Sequence, residues 1–172
     1  MAPATVRGLP LPAPLTSLID RGLWRHPGDA VLAKVVPWFE DPLAFVADPE
    51  QMAFASRSMD IVADDPSAGY FRQARGSRGT APLELPWLDV EQAVLIAITR
   101  NPGDDGALAL DYRTDPSDPR VVGSDYWTDP DRCRWRVVAP TFSGFVTSCA
   151  TATKSERGTS TPLPPTRPSG RG

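Results

Sequence analysis

The run AVLIAIT at residues 93–99 admits few placements. Six of its seven residues are apolar and nothing in it alternates, so it reads as a strand buried on both faces. It is far shorter than the roughly 20 apolar residues a membrane-spanning helix needs. NPGDDG at 101–106 follows with turn chemistry, because Asn, Pro, Gly and Asp each favour a tight reversal of the chain. Beyond the turn, Leu108, Leu110 and Tyr112 alternate with Ala107, Ala109 and Asp111. Two strands joined in this way predict a β-hairpin. RVVGSDYW from 120 and RWRVVA from 134 add two further strands, and Thr141 is placed to cap a last helix. Phe142, Phe145, Val146 and Cys149 supply that helix with an apolar stripe at i, i+3, i+4 and i+7.

The first half has the helical period instead. Leu15, Leu18 and Ile19 mark a short helix that stops at Gly22, and Asp29 is placed to cap a second over 30–36, which Pro37 ends. DPEQ at 48–51 signals a third, with Asp48 as cap, Pro49 at the first helical position and Gln51 three residues on from the cap. Met52, Ala55, Met59 and Val62 then recur at helical spacing. Residues 64–86 show little pattern and read as a loop around a short element at Tyr70-Phe71. From 151 the chain is Thr, Ser, Gly, Pro and Arg with almost no large apolar residue, which predicts a disordered tail over 151–172. The expected fold is therefore a single α+β domain over 1–150. It has N-terminal helices, a central, mainly antiparallel sheet of about four strands, and a C-terminal helix.

Charge divides along the same boundary. Residues 1–150 carry 14 Lys and Arg against 20 Asp and Glu, a net −6, while 151–172 carry four against one, a net +3. An acidic domain of this kind is not expected to bind nucleic acid, whose affinity comes largely from phosphate neutralisation. Cys133 and Cys149 are too few for a disulfide framework and are expected to be free thiols. Neither a signal peptide nor a membrane span is legible, so a cytoplasmic location is expected.

Eight aspartates, at 104, 105, 111, 115, 118, 125, 129 and 131, crowd the second half with no glutamate among them. Neither NPGDDG nor TDPSDP has the spacing of a calcium-binding loop, and Asp beside Pro and Gly is foremost a turn residue, so no metal site is expected. Asp111 differs because it sits within a strand. Arg113 shares its face and Arg120 lies across a short turn, which predicts a structural ion pair. A less favoured reading makes Asp111, with Asp104 or Asp125, the centre of a metal-assisted hydrolase. The sole histidine, His26, stands in a turn before Pro27 and is expected to be solvated or capping. The chain has no Gly-x-Ser-x-Gly elbow, phosphate loop, zinc-spaced cysteine pair or dinucleotide fingerprint. Arg72, Arg75 and Arg78 with Tyr70-Phe71 read as a solvated loop in preference to a stacking surface for single strands. Among five tryptophans, Trp127 stands with Tyr126 at a strand end beside acidic turns, where a binding patch would mix aromatic anchors with charge.

AVLIAI, the Gly/Asp turn, ALALDYR, the proline turn into PRVV, and RWRVVAPTFSGFV together resemble the second half of the SUKH superfamily. In that family a hairpin with a Leu-Asp-Tyr-type strand leads through a further strand to a final helix opened by an Ala-Pro-(Ser/Thr)-Phe motif. The likeness spans roughly residues 87–150. The LPLP start, the WRHPGD turn and the DPEQM helix start resemble an actinobacterial-type branch of the same group, while the central loop and the Arg/Pro-rich tail depart from it. The resemblance implies an α+β domain, usually without enzymatic activity. Such domains occur in bacterial immunity proteins that neutralise polymorphic toxins and in fungal regulators of cell-wall assembly. The leading expectation is thus a non-enzymatic immunity protein that needs no cofactor and whose partner is a basic toxin domain, with no nucleic acid or membrane as partner. Second comes a regulatory scaffold of the cell-wall type, and third the hydrolase. The residues expected to meet the partner are Asp104, Asp105, Asp115, Asp118, Asp125, Tyr126 and Trp127.

Overall fold

The protein is described here from a computed structural model, covering residues 4–60, 73–77, 81–101, 106–125 and 134–158. A two-residue turn, Arg7-Gly8, joins β1 (Thr5–Val6) to β2 (Leu9–Pro10). Both turn residues have positive φ, +56° and +82°, which matches the twist of the flanking strands. Helix α1 (Ala13–Asp20) ends at Gly22, whose φ of +63° suits the residue without a side chain. Helix α2 (Asp29–Val35) differs from expectation at its start: Gly28 is the cap, and Asp29 is the first helical residue with its carboxylate turned to Arg100. Strand β3 (Leu43–Phe45) precedes α3 (Pro49–Asp60), where the expected cap is present. The Asp48 carboxylate accepts the Gln51 backbone N–H at 2.9 Å and its side-chain amide at 2.7 Å. Met52 and Met59 are buried as their spacing implies, whereas Val62 lies outside the described residues.

The second half supplies the sheet. After β4 (Ala74–Arg75) and β5 (Leu88–Asp89), which pair in parallel, come β6 (Ala93–Thr99), β7 (Ala107–Asp111), β8 (Arg120–Ser124) and β9 (Arg136–Ala139), then α4 (Phe142–Gly158). The main sheet has the order β3-β6-β7-β8-β9, and every pairing in it is antiparallel. It contains five strands where about four were expected. The extra one is β3, a three-residue segment too short to show a period. The α+β class stands, with helices packed on an antiparallel sheet.

Alternation along β7 divides the core. Leu108, Leu110 and Tyr112 join Val94, Ile96 and Val121 against Leu15, Leu32, Phe142 and Phe145 of the helices. Ala107 and Ala109 face the other way, with Leu95 and Val122, beneath Met59, Leu88, Val90 and Trp135. The two faces differ in side-chain size because the second is covered closely by the β4–β5 strap. Burial of Phe142 and Phe145, 0% and 1% exposed, is worth about 2–3 kcal/mol each and anchors α4. The helix runs on through Gly158, so the expected boundary at 150/151 falls inside it; residues 159–172 lie outside the described part. The threonines that made 151–158 look structureless are tolerated because their hydroxyls can bond the preceding turn, as Thr153 Oγ1 does to the Cys149 carbonyl at 2.8 Å. Among the described residues no helix is long and apolar enough to cross a membrane.

Helix α3 solves an edge problem. β3 pairs only with residues 97–99 of β6, so the first half of β6 would otherwise present bare backbone on that side. Met52 lies in one core cluster and Met59 in the other, placing α3 along this edge. There the buried Ser56 hydroxyl accepts the Leu95 N–H at 2.9 Å. Arg7 fastens the same helix from outside, donating to the Ser56 and Val90 carbonyls and to both carboxylate oxygens of Asp60. Ser56→Ala leaves the Leu95 N–H buried without an acceptor, and the expected loss is about 1–3 kcal/mol, read as a lower urea midpoint at unchanged slope.

Candidate functional site

The strand acid expected to be paired is paired twice. Asp111 has no solvent exposure. Its Oδ1 accepts Arg113 Nε at 2.8 Å and its Oδ2 accepts Arg113 Nη2 and Arg120 Nε, both at 2.8 Å. The sheet explains the convergence: Asp111 and Arg120 are register partners, and Arg113 is two residues on from Asp111. Burial pushes the Asp111 pKa up, but the bonds and charge of Arg113, then the bond from Arg120, outweigh that and hold it below the ordinary aspartate value of 3.8. A carboxylate committed to two guanidinium groups has no free lone pair with which to activate water.

The described acids expected at a common rim, Asp115, Asp118 and Asp125, do not share one. Asp104, Asp105, Tyr126 and Trp127 lie outside the described residues. The register pairs Ala107 with Ser124 at one end of the β7–β8 ladder and Asp111 with Arg120 at the other. Asp125 and Asp115 therefore leave opposite ends, separated by about 14 Å of strand. Asp115 is exposed and organises its own turn, accepting the Ser117 N–H at 2.8 Å and hydroxyl at 2.7 Å. Asp118 accepts the Ser143 N–H at 3.0 Å and so, beside Thr141 on the Gly144 N–H, caps α4 from a distant loop. Asp125 is only 3% exposed, with Oδ2 turned to the Glu40 N–H at 3.4 Å. Two of the three described acids thus hold the fold together.

The Asp125 end of the sheet nevertheless gathers charge from elements that local pattern did not connect. Pro37 ends α2 and turns Trp38 and Phe39 onto the strands. A side chain at Gly123 would meet Trp38 Cη2 at 2.9 Å, and one at Gly106 would meet Phe39 Cζ at 2.7 Å, so these glycines are the seats of the two rings. Arg136 of β9 covers Trp38 from 4.7 Å. Beside them lies an open concavity of about 270 Å³, with Leu32, Val36, Phe39 and Leu43 on its floor and Asp29, Glu40 and Asp41 around it. The acids Glu40-Asp41 between WF and PL were the available sequence signal. Only tertiary structure brings Asp29 beside them.

His26 stands next to this rim. Its Nδ1 accepts the Gly28 N–H at 3.0 Å, and its Nε2 lies 3.2 Å from Arg100 Nη2 and 3.5 Å from Asp29 Oδ1. The ring meets Phe45 edge-on, and Arg100 holds both Asp29 oxygens, at 2.6 and 3.3 Å. Burial first, then the Arg100 charge, lower the His26 pKa from its ordinary 6.5, with Asp29 opposing. This arrangement ties down the turn before α2, whose cap Gly28 has no side-chain cap bond, where a solvated or capping residue was expected. Elsewhere, Arg75 lies 5.2 Å over the Trp87 ring; Tyr70, Phe71, Arg72 and Arg78 of the basic loop are outside the described residues. Cys149 is half-buried, and burial raises its thiol pKa to about 11. Among the described residues no group of three or more His, Cys, Asp or Glu is placed to hold a metal ion. Compared with family models, with curated proteins and with solved structures, the chain matches none.

Asp111→Asn removes the charge shared by two largely buried arginines, whose side chains are 7% and 14% exposed, and the expected loss is about 3–5 kcal/mol in urea unfolding. The wild-type contribution is present above the unfolded aspartate pKa of 3.8 and is lost as pH falls through the lower folded value. His26 gives a second window. Its lowered pKa means that its contribution is present above 6.5 and is lost as pH falls through the folded value, so His26→Gln flattens the stability profile below pH 6.5.

Proposed function

We propose that this chain is a non-enzymatic protein-binding module that acts as an immunity protein, with the sheet end at Glu40 and Asp41 meeting a basic toxin domain. One observation carries the reading: an open concavity lined by Phe39, Glu40 and Asp41, at one end of a domain whose residues 1–150 bear a net −6. Acidic side chains at such a surface guide the approach of a basic partner. The commitment of Asp111 to Arg113 and Arg120 weighs against the alternative of a hydrolase centred on that residue. The SUKH likeness of residues 87–150 supports the same class.

Co-expression with each toxin domain encoded beside this chain is expected to restore growth in one case. Glu40→Lys with Asp41→Lys then slows association about tenfold or more at low salt, while Asp115→Lys, at the far end of the sheet, leaves it unchanged. Failure to protect against every such domain overturns the reading. A shared deficit of both variants would move the face elsewhere.

A further inference from the structure

The β4–β5 strap is only two residues wide, yet it carries a carboxyl group into the core. Asp89, in β5, has no solvent exposure. Its Oδ1 accepts the Glu91 N–H at 3.1 Å, and among the described residues its buried Oδ2 has no hydrogen-bond partner. The surrounding groups leave its charge poorly compensated. Glu91, on the turn that follows β5, is a like charge, with Oε2 accepting the Ser77 hydroxyl at 2.6 Å. Arg75, the register partner of Asp89, places its guanidinium over Trp87. Arg113 is the nearest counter-ion: its Nε and Nη2 are bonded to Asp111 and the Trp87 carbonyl, with Arg120 completing that cluster, and its buried Nη1 makes no hydrogen bond among the described residues, to Asp89 or to any other group. Among the described residues, α3 brings Met59 and its apolar neighbours to the strap, and at its end Asp60, paired with Arg7, whose Nη2 also donates to the Val90 carbonyl at 3.2 Å.

We propose that Asp89 is a proton-operated latch: it holds the β4–β5 strap against the second face of the sheet while it carries a proton, and loosens the strap when it ionises. A neutral carboxyl tolerates a buried site with few donors, whereas an ionised one is driven toward water. Reaching water means parting β5 from β4, a ladder that includes the Leu88 N–H on the Gln73 carbonyl at 2.7 Å. Opening uncovers Leu88, Val90 and the ring of Trp135. Desolvation, reinforced by the charge of Glu91, raises the Asp89 pKa against the opposing Glu91 N–H, Ser77 and Arg113. The stabilisation is therefore complete below the unfolded value of 3.8 and is lost as pH rises through the folded one.

The test compares the full chain with Asp89→Asn, which has the same shape and never ionises. Amide-exchange protection at Leu88 is measured from pH 4 to 8 and corrected for intrinsic exchange. Expected are equal protection at the acid end and at least tenfold lower protection in the wild type at the alkaline end. A constant ratio across the range, or lower protection in the variant, overturns the latch. In parallel, the carboxyl carbon of Asp89 in the wild-type chain is titrated by NMR. A midpoint above 3.8 supports the proposal, and one at or below it overturns the proposal even where the variant does not fold.

Discussion

The buried charge of Asp111 is the constraint around which the second half of the molecule is arranged. Three segments converge on it: the end of β7, the start of β8, and, through the Arg113 bond to the Trp87 carbonyl, the chain leading into β5. A register slip of one residue between β7 and β8 would turn Asp111 or Arg120 to the opposite face and leave a charge buried without its partner. Apolar side chains alone would penalise such a slip less, because alanines and leucines can exchange places at moderate cost. The ion cluster thus selects a single alignment for a hairpin otherwise built from interchangeable aliphatic residues. Buried pairs are a weak source of net stability but a strong source of uniqueness where removing one partner strands the other.

What could be read from the sequence follows from how local each cause is. The β6–β7 hairpin, the Asp48 cap and the Asp111 cluster depend on neighbours within a turn or across one hairpin, and all three were legible. β3 was not, because LAF is too short for a period and becomes a strand only by pairing with residues 97–99. Asp118 looked like a turn residue, and its use as a cap for a helix 25 positions away cannot be seen without tertiary structure. Density of aspartate suggested a common acidic rim, whereas the ladder separates its described members and buries Asp125. Gly106 read as part of a turn and Gly123 as one residue of a strand, and nothing local said that Phe39 and Trp38 would pack against them.

Acidity in this domain therefore has two uses. Asp48, Asp60, Asp111 and Asp118 hold helices, strands and turns in place through hydrogen bonds or ion pairs. Glu40 and Asp41 line a concavity. A count of net charge cannot separate these roles. The proportion of carboxylates consumed internally is what decides how much of the charge a partner would meet.

The seating of Trp38 and Phe39 on Gly123 and Gly106 has a thermodynamic consequence for that meeting. The segment that carries Glu40 and Asp41 is clamped by two aromatic rings and by the Asp125 carboxylate on the Glu40 N–H. Its backbone has already lost its freedom in the unbound molecule, so that part of the entropic penalty falls on folding and not on association. A surface of this kind can recognise a partner quickly without first having to rearrange, and its affinity then depends on how well the partner's shape fits a template that does not yield.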